Sequence, residues 1–212
     1  MSDARSLLRE PWSALDRQTG AATFGIWVFI ASELLFFGGL LLVYAIYRGI
    51  YPAGFAAAAR ETNIWYGTIN TAVLLTSSLT MAVASQAARG DFRRLVIFAL
   101  VATALFGTVF AVLKGFEYRE DIEKHLVPGP GFAITKPGAE IFFAIYWIIT
   151  GLHAIHLTIG IALVSRLAFV GATGRMRLRG SPQVEATALY WHLVDVIWIF
   201  LYPLIYLPGR SS

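Results

Sequence analysis

The sequence predicts an all-α polytopic membrane bundle of five transmembrane helices. Apolar residues fill 57% of its 212 positions, only 14% are charged, and the apolar residues gather into five long runs. Mean hydropathy is +0.64, well above that of a water-soluble domain. The formal charge of +4 and pI near 9.5 do not mark a nucleic-acid binder, because the basic residues are spread a few to each connection instead of forming one patch. Without cysteine, disulfides, thiolate metal sites and haem-attachment motifs are excluded.

Residues 1–23 are polar, carry Arg5, Arg9 and Arg17, and read as an N-terminal cytoplasmic segment. The first run, Phe24–Tyr47, is too long for a signal-peptide core and has no small-residue cleavage site after it, so it is expected to remain as a span. Ile64–Ser85, Leu95–Phe116, Ala139–Ser165 and Glu185–Leu207 follow, each reaching the roughly 20 residues that a bilayer core requires. Residues 208–212 form a tail. Between the third and fourth runs, 117–138 is rich in charge, proline and glycine and predicts an irregular loop, or a helix extension followed by one. No internal repeat divides 24–207, which reads as a single membrane domain. Trp65, Trp147, Trp191, Tyr47, Tyr51 and Tyr206 fall near run ends, where amphipathic rings favour the interface. Ten Lys and Arg fall on the side of the N-terminus and seven on the other, which predicts the N-terminus inside and the C-terminus outside.

An ionised side chain at mid-bilayer costs about 2.5–3.5 kcal/mol, so each acid or histidine within a run needs a partner, a proton or a path to water. Glu33, His156, His192 and Asp195 fall about 10–15 Å from the inner ends of their helices, with His153 somewhat deeper. His153 with His156, and His192 with Asp195, are spaced i, i+3 and share helix faces. For Glu33 the structural reading is a carboxylic acid bonded to a neighbouring helix, set against a functional one. For the histidines and Asp195 it is one hydrogen-bonded network joining spans four and five. Thr68, Asn70, Thr71, Thr76, Ser77, Ser78 and Thr80 suit hydrogen bonds between helices. Gly38, Gly39, Gly151 and Gly160 suit close helix approach or a cleft wall more than cofactor binding. Three in-run histidines leave a haem-b anchor open, with His156 and His192 as the ligand pair. Zinc lacks enough ligands, and HExxH, P-loop and GxGxxG motifs do not occur.

The strings WVFIASELLFF, TGLHAIHLTIG and YWHLVDVIWIFLYPLIYL, joined by LLTSSLTMA and LKGFEY, resemble subunit III of the haem–copper terminal oxidases. The resemblance runs in order from Trp27 to Tyr206 and matches the short five-helix bacterial form; a longer form has two additional N-terminal helices. It implies a non-catalytic chain without metal or cofactor of its own, with haem and copper in the partner subunits. It further implies phospholipid held in a cleft between two helix groups, support of proton uptake, and durability of a complex that reduces oxygen and translocates protons. The implied partners are oxidase subunits I and II, membrane phospholipid and further respiratory complexes, in a bacterial plasma membrane. Cytochrome c is expected as electron donor ahead of quinol. Glu33 falls on the family's glutamate in SEL and Glu117 on the acid of its EY motif. His153, His156, His192 and Asp195 fall on the polar positions of TGxHxxH and YWHxVDxxW. GLHAIH stands where GFHGLH is common, and LLTSSLT and LYPLIYL are also similar to the accessory branch of nitric oxide reductases, which is the alternative reading.

Overall fold

A computed structural model of the chain describes residues 15–174 and 181–210. Residues 1–14, which hold most of the expected N-terminal segment, residues 175–180, and residues 211–212 of the expected tail lie outside the described residues. Among the described residues six helices run in order: α1 (Leu15–Ile50), α2 (Pro52–Glu61), α3 (Ile64–Arg89), α4 (Arg93–Glu123), α5 (Ala139–Ala172) and α6 (Pro182–Tyr206). All but α2 are long and apolar enough to cross a membrane, and the protein is a multi-pass all-α membrane bundle.

The helix ends follow local chemistry. Pro52 starts α2, where its missing N–H costs nothing and its fixed φ suits the first turn. Asn63 caps α3 by accepting from the Trp65 amide at 3.1 Å. Arg93, opening α4, donates from Nε and Nη2 to Gly171 O at 3.0 and 2.9 Å, satisfying an orphan carbonyl at the end of α5. Gly138 has φ of 87° and precedes α5; a side chain there would meet Tyr51. The charged segment after Phe116 divides as its composition allows: α4 continues to Glu123, and an irregular loop carries the chain to α5.

The short helix α2 is an addition to the five apolar runs. Its sequence PAGFAAAARE pairs a proline start with the strongest helix former, and it buries Phe55, Ala58 and Ala59. Arg210 Nη2 donates to Ala59 O, Arg60 O and Thr62 O, so the chain end holds the end of α2.

Helices α3, α4, α5 and α6 pack in that order and α6 returns to α3, closing a four-helix ring. Within the ring α6 is the most buried span, with Trp191, Trp198 and Tyr206 fully enclosed. Trp191 and Tyr206 therefore depart from the interfacial placement their positions suggest. Trp191 Nε1 donates to Ser77 Oγ at 3.1 Å, and their large rings fill the ring's axis. Helix α1 packs outside, against α5 and α6, and α2 covers one end of α5.

Small residues let the rings in. A Cβ on Gly107 would lie 2.6 Å from the Trp191 ring, and one on Gly67 or Gly160 would lie 2.9 and 3.1 Å from Tyr206 and Trp191. Of the four glycines expected at close approaches or along a cleft wall, Gly160 stands at a close approach, whereas a Cβ on Gly38, Gly39 or Gly151 would meet no neighbouring helix within 4 Å.

Candidate functional site

The intramembrane polar residues form three groups instead of the single network expected between spans four and five. The first joins α1 to α5. His156 Nδ1 lies 2.8 Å from Leu152 O. A carbonyl only accepts, so that nitrogen carries hydrogen. Nε2 then faces Glu33 Oε2 at 3.2 Å, within ion-pair range though without hydrogen-bond alignment. The two groups can share one proton, as imidazolium and carboxylate or as imidazole and carboxylic acid, and the pair stays neutral overall in either form. Phe37 meets the His156 ring edge-on at 5.5 Å, and Tyr190 OH donates to His156 O at 2.9 Å, enclosing the pair in aromatic surface.

The second group joins α3 to α6. Ser78 Oγ lies 2.9 Å from His192 Nδ1, and Asp195 Oδ2 lies 3.9 Å from the same nitrogen. Serine, histidine and aspartate in contact suggest a nucleophilic triad, but a triad needs the acid and the serine on opposite ring nitrogens. Here both address Nδ1, so histidine cannot relay a proton between them. Neither carboxyl oxygen of buried Asp195 meets an aligned donor among the described residues. The same seam uses the small polar groups of α3: Tyr202 OH with Thr68 Oγ1 at 2.8 Å and Trp198 Nε1 donating to Thr71 Oγ1 at 3.0 Å. On its other face, α3 meets α4 through Thr80 and Thr103 at 2.7 Å. His153 belongs to neither group. It is buried between Phe110 and Trp198, with ring centroids at 5.7 and 5.1 Å, and among the described residues neither of its nitrogens has a hydrogen-bond partner; nor does the buried Asn70 side chain.

The third group was only partly legible. Near the end of α4, Lys114 Nζ lies 3.0 Å from Glu117 Oε2, with side chains 3% and 1% exposed. Lys114 donates to Tyr146 OH of α5 at 3.0 Å and to Tyr206 OH of α6 at 2.8 Å. Tyr206 OH in turn donates to Glu117 Oε1 at 2.6 Å, and Tyr146 OH stands 2.7 Å from Asp121 Oδ2 and 3.1 Å from Glu117 Oε1. The ammonium also lies over the rings of Tyr118, Tyr146, Trp198 and Tyr206 at 4.7–5.6 Å. Of this cluster the sequence singles out Glu117, and it does so through resemblance. Lys114 is counted with the outer loop, and Asp121 with its acids. The signal was their spacing: 114, 117 and 121 are i, i+3 and i+7, one stripe of a helix that outruns its apolar stretch.

His156 faces α1 and His192 faces α3, so the two histidines considered for haem do not form a facing pair. Among the described residues no group of three or more His, Cys, Asp and Glu is arranged to hold a metal ion.

A family model described as cytochrome c oxidase subunit III matches residues 17–210. A cytochrome c oxidase subunit 3 of Synechocystis is 30% identical, over 87% of this chain and 74% of its own length. One from Thermostichus vulcanus is 31% identical over 88% and 87%. Subunit 3 of a cytochrome bo(3) ubiquinol oxidase from Buchnera aphidicola is 26% identical over 88% and 93%. With the match extending across all five membrane-spanning helices and the sites built between them, the chain belongs to the haem–copper oxidase subunit III family.

Proposed function

We propose that this chain is the non-catalytic subunit III of a respiratory haem–copper oxidase, lying beside the subunits that carry haem and copper. There it supports proton uptake, binds phospholipid and stabilises the complex during turnover. The observation that carries the reading is the Glu33–His156 contact at 3.2 Å, a carboxyl group facing an imidazole between α1 and the ring, beside aromatic side chains. Such a pair can accept or release a proton with a small rearrangement, yet it offers no nucleophile or redox centre. Phospholipid binding is supported by the wholly apolar lining of the seam between α1 and the ring, where Leu41, Phe142, Ile145, Ile149 and Leu204 meet. An acyl chain suits that lining.

The partners are oxidase subunits I and II, with cytochrome c as donor. The named relatives include quinol oxidases as well, so donor choice is itself part of what must be tested. The location is a bacterial plasma membrane, with the N-terminus in the cytoplasm and the C-terminus outside, supported by the ten-to-seven distribution of Lys and Arg. The membrane unit comprises residues 24–207.

Mass spectrometry of the chains that co-purify with this one is expected to identify the two haem–copper subunits. Recovery with nitric oxide reductase subunits instead would overturn the oxidase assignment. A reducible haem band in the purified chain alone, lost in His192→Ala, would overturn its non-catalytic character.

A further inference from the structure

The cluster at the end of α4 contains one cation and two carboxylates. Lys114 is enclosed by four aromatic rings, donates to two phenols and is paired with a carboxylate, contacts that offset the cost of burying an ammonium. Glu117 and Asp121 are 0% and 2% exposed. With both carboxylates ionised, the site would bury an excess negative charge, which a low-dielectric interior tolerates poorly. The other groups facing it do not supply a second cation. Tyr118 donates to Thr150 at 2.8 Å, and Tyr146 and Tyr206 are phenols. His153 stands one helical segment away in aromatic surroundings. Lys124, beyond the last turn, lies within the field of Asp121, but it is paired with the carboxylate of Glu120 at 2.7 Å, a bond that holds its ammonium above the ordinary lysine range, so the two together bring no net cation to the cluster.

We propose that Lys114, Glu117, Asp121 and Tyr146 form a proton-binding site in which the two carboxyl groups hold one proton between them. Tyr146 is placed to pass it. Its hydroxyl lies 2.7 Å from Asp121 Oδ2 and 3.1 Å from Glu117 Oε1, and it has one hydrogen to give. A proton leaving Asp121 Oδ2 binds the phenol oxygen as the phenol's own proton moves to Glu117 Oε1. One O–H bond breaks and one forms at each transfer, and the charge of the cluster does not change. No aligned hydrogen bond reaches Glu117 Oε2 among the described residues, so the carboxyl group retains acceptor capacity beside the lysine. Asp121 is the member nearest the end of the helix. The site is independent of which complex the chain joins.

The test is infrared spectroscopy of the full chain in phosphatidylcholine vesicles at neutral pH, in light and heavy water. Difference spectra of wild type against variant are expected to show a protonated-carboxyl carbonyl component, separate from any at Glu33 or Asp195, that shifts down in heavy water and is lost in both Asp121→Asn and Glu117→Gln. Each of these near-isosteric variants balances the lysine with one carboxylate and releases the proton. Lys114→Met is expected to increase the band, and Tyr146→Phe to retain it at a shifted frequency. If no carbonyl band is lost in either amide variant, or if it survives in Glu117→Gln, the charge-balance argument fails and the proposal with it. Circular dichroism checks that each variant is folded. Should an amide variant not fold, an unchanged band in both Lys114→Met and Tyr146→Phe would overturn the proposal by itself.

Discussion

Glu33 and His156 show how much a single side-chain contact can constrain. With Nδ1 held by Leu152 O, the imidazole can change its protonation only at the nitrogen facing Glu33. Replacing the acid by Gln removes the proton-sharing partner with almost no change of shape. In the assembled oxidase, Glu33→Gln is expected to leave haem content unchanged while slowing proton uptake or shortening catalytic lifetime. Unaltered turnover and lifetime would remove Glu33 from the proton path. At this scale the sequence announced the isolated acid and histidines, because ions are costly in hydrocarbon wherever they occur. It did not announce their partners: Glu33 and His156 are separated by more than a hundred residues, and only packing brings α1 onto α5. Lys114, Asp121, Tyr146 and Tyr206 were not singled out as a site for another reason. Charge near the end of an apolar run and tyrosine near a membrane boundary both have ordinary solvent-side readings. The aromatic ring interior is what draws them inward.

Helices assemble here by fitting large rings against missing side chains. Gly107 of α4 faces Trp191 of α6, and the indole is fully buried with its Nε1 fixed on Ser77. Gly107→Ala is expected to destabilise the bundle by about 1–3 kcal/mol, since neither the ring nor the Ile161 side chain at 3.0 Å can give way without disturbing the core. Gly38→Ala supplies the control: with nothing within 4 Å it is expected to be neutral, or stabilising by up to about 1 kcal/mol through helix propensity. Denaturant titration followed by circular dichroism compares the two, and equal effects would contradict this packing. The existence of the five spans was readable because hydrocarbon selects for length and apolarity. Which glycines matter was not, because a glycine's neighbour lies on another helix. The α2 segment was readable in principle from its alanines, but it is too short to register as a span.

Across the whole molecule, four helices close on one another and the fifth span is added at the edge. This arrangement can be tested without a reporter already in the chain, since cysteine is absent from the sequence. Cysteines introduced at positions 33 and 156 are expected to be joined by a short bis-thiol reagent, and a pair at 33 and 192 is not, because His192 faces α3 on the other side of α6. Efficient joining of both pairs, or of the second alone, would place α1 elsewhere. The architecture also explains why a hydropathy reading succeeds for this chain yet stops short of tertiary structure. Apolarity says that a helix enters the bilayer, and all five do so. The order around the ring depends on specific fits such as Thr80 with Thr103 and Trp198 with Thr71.

The peripheral seat of α1 sets an order of events during synthesis. Of these five spans it is the first to leave the ribosome, but apart from the short α2 its neighbours are α5 and α6, the last two to arrive. Until then it meets only α2 and lipid, and its composition suits that interval: α1 and α4 are the two most apolar spans, while α3 and α6, which meet partners within the ring, are the least. Glu33 waits through the same interval for His156. Its pairing therefore marks the moment at which the nascent chain ceases to be a row of independent insertions and becomes one protein.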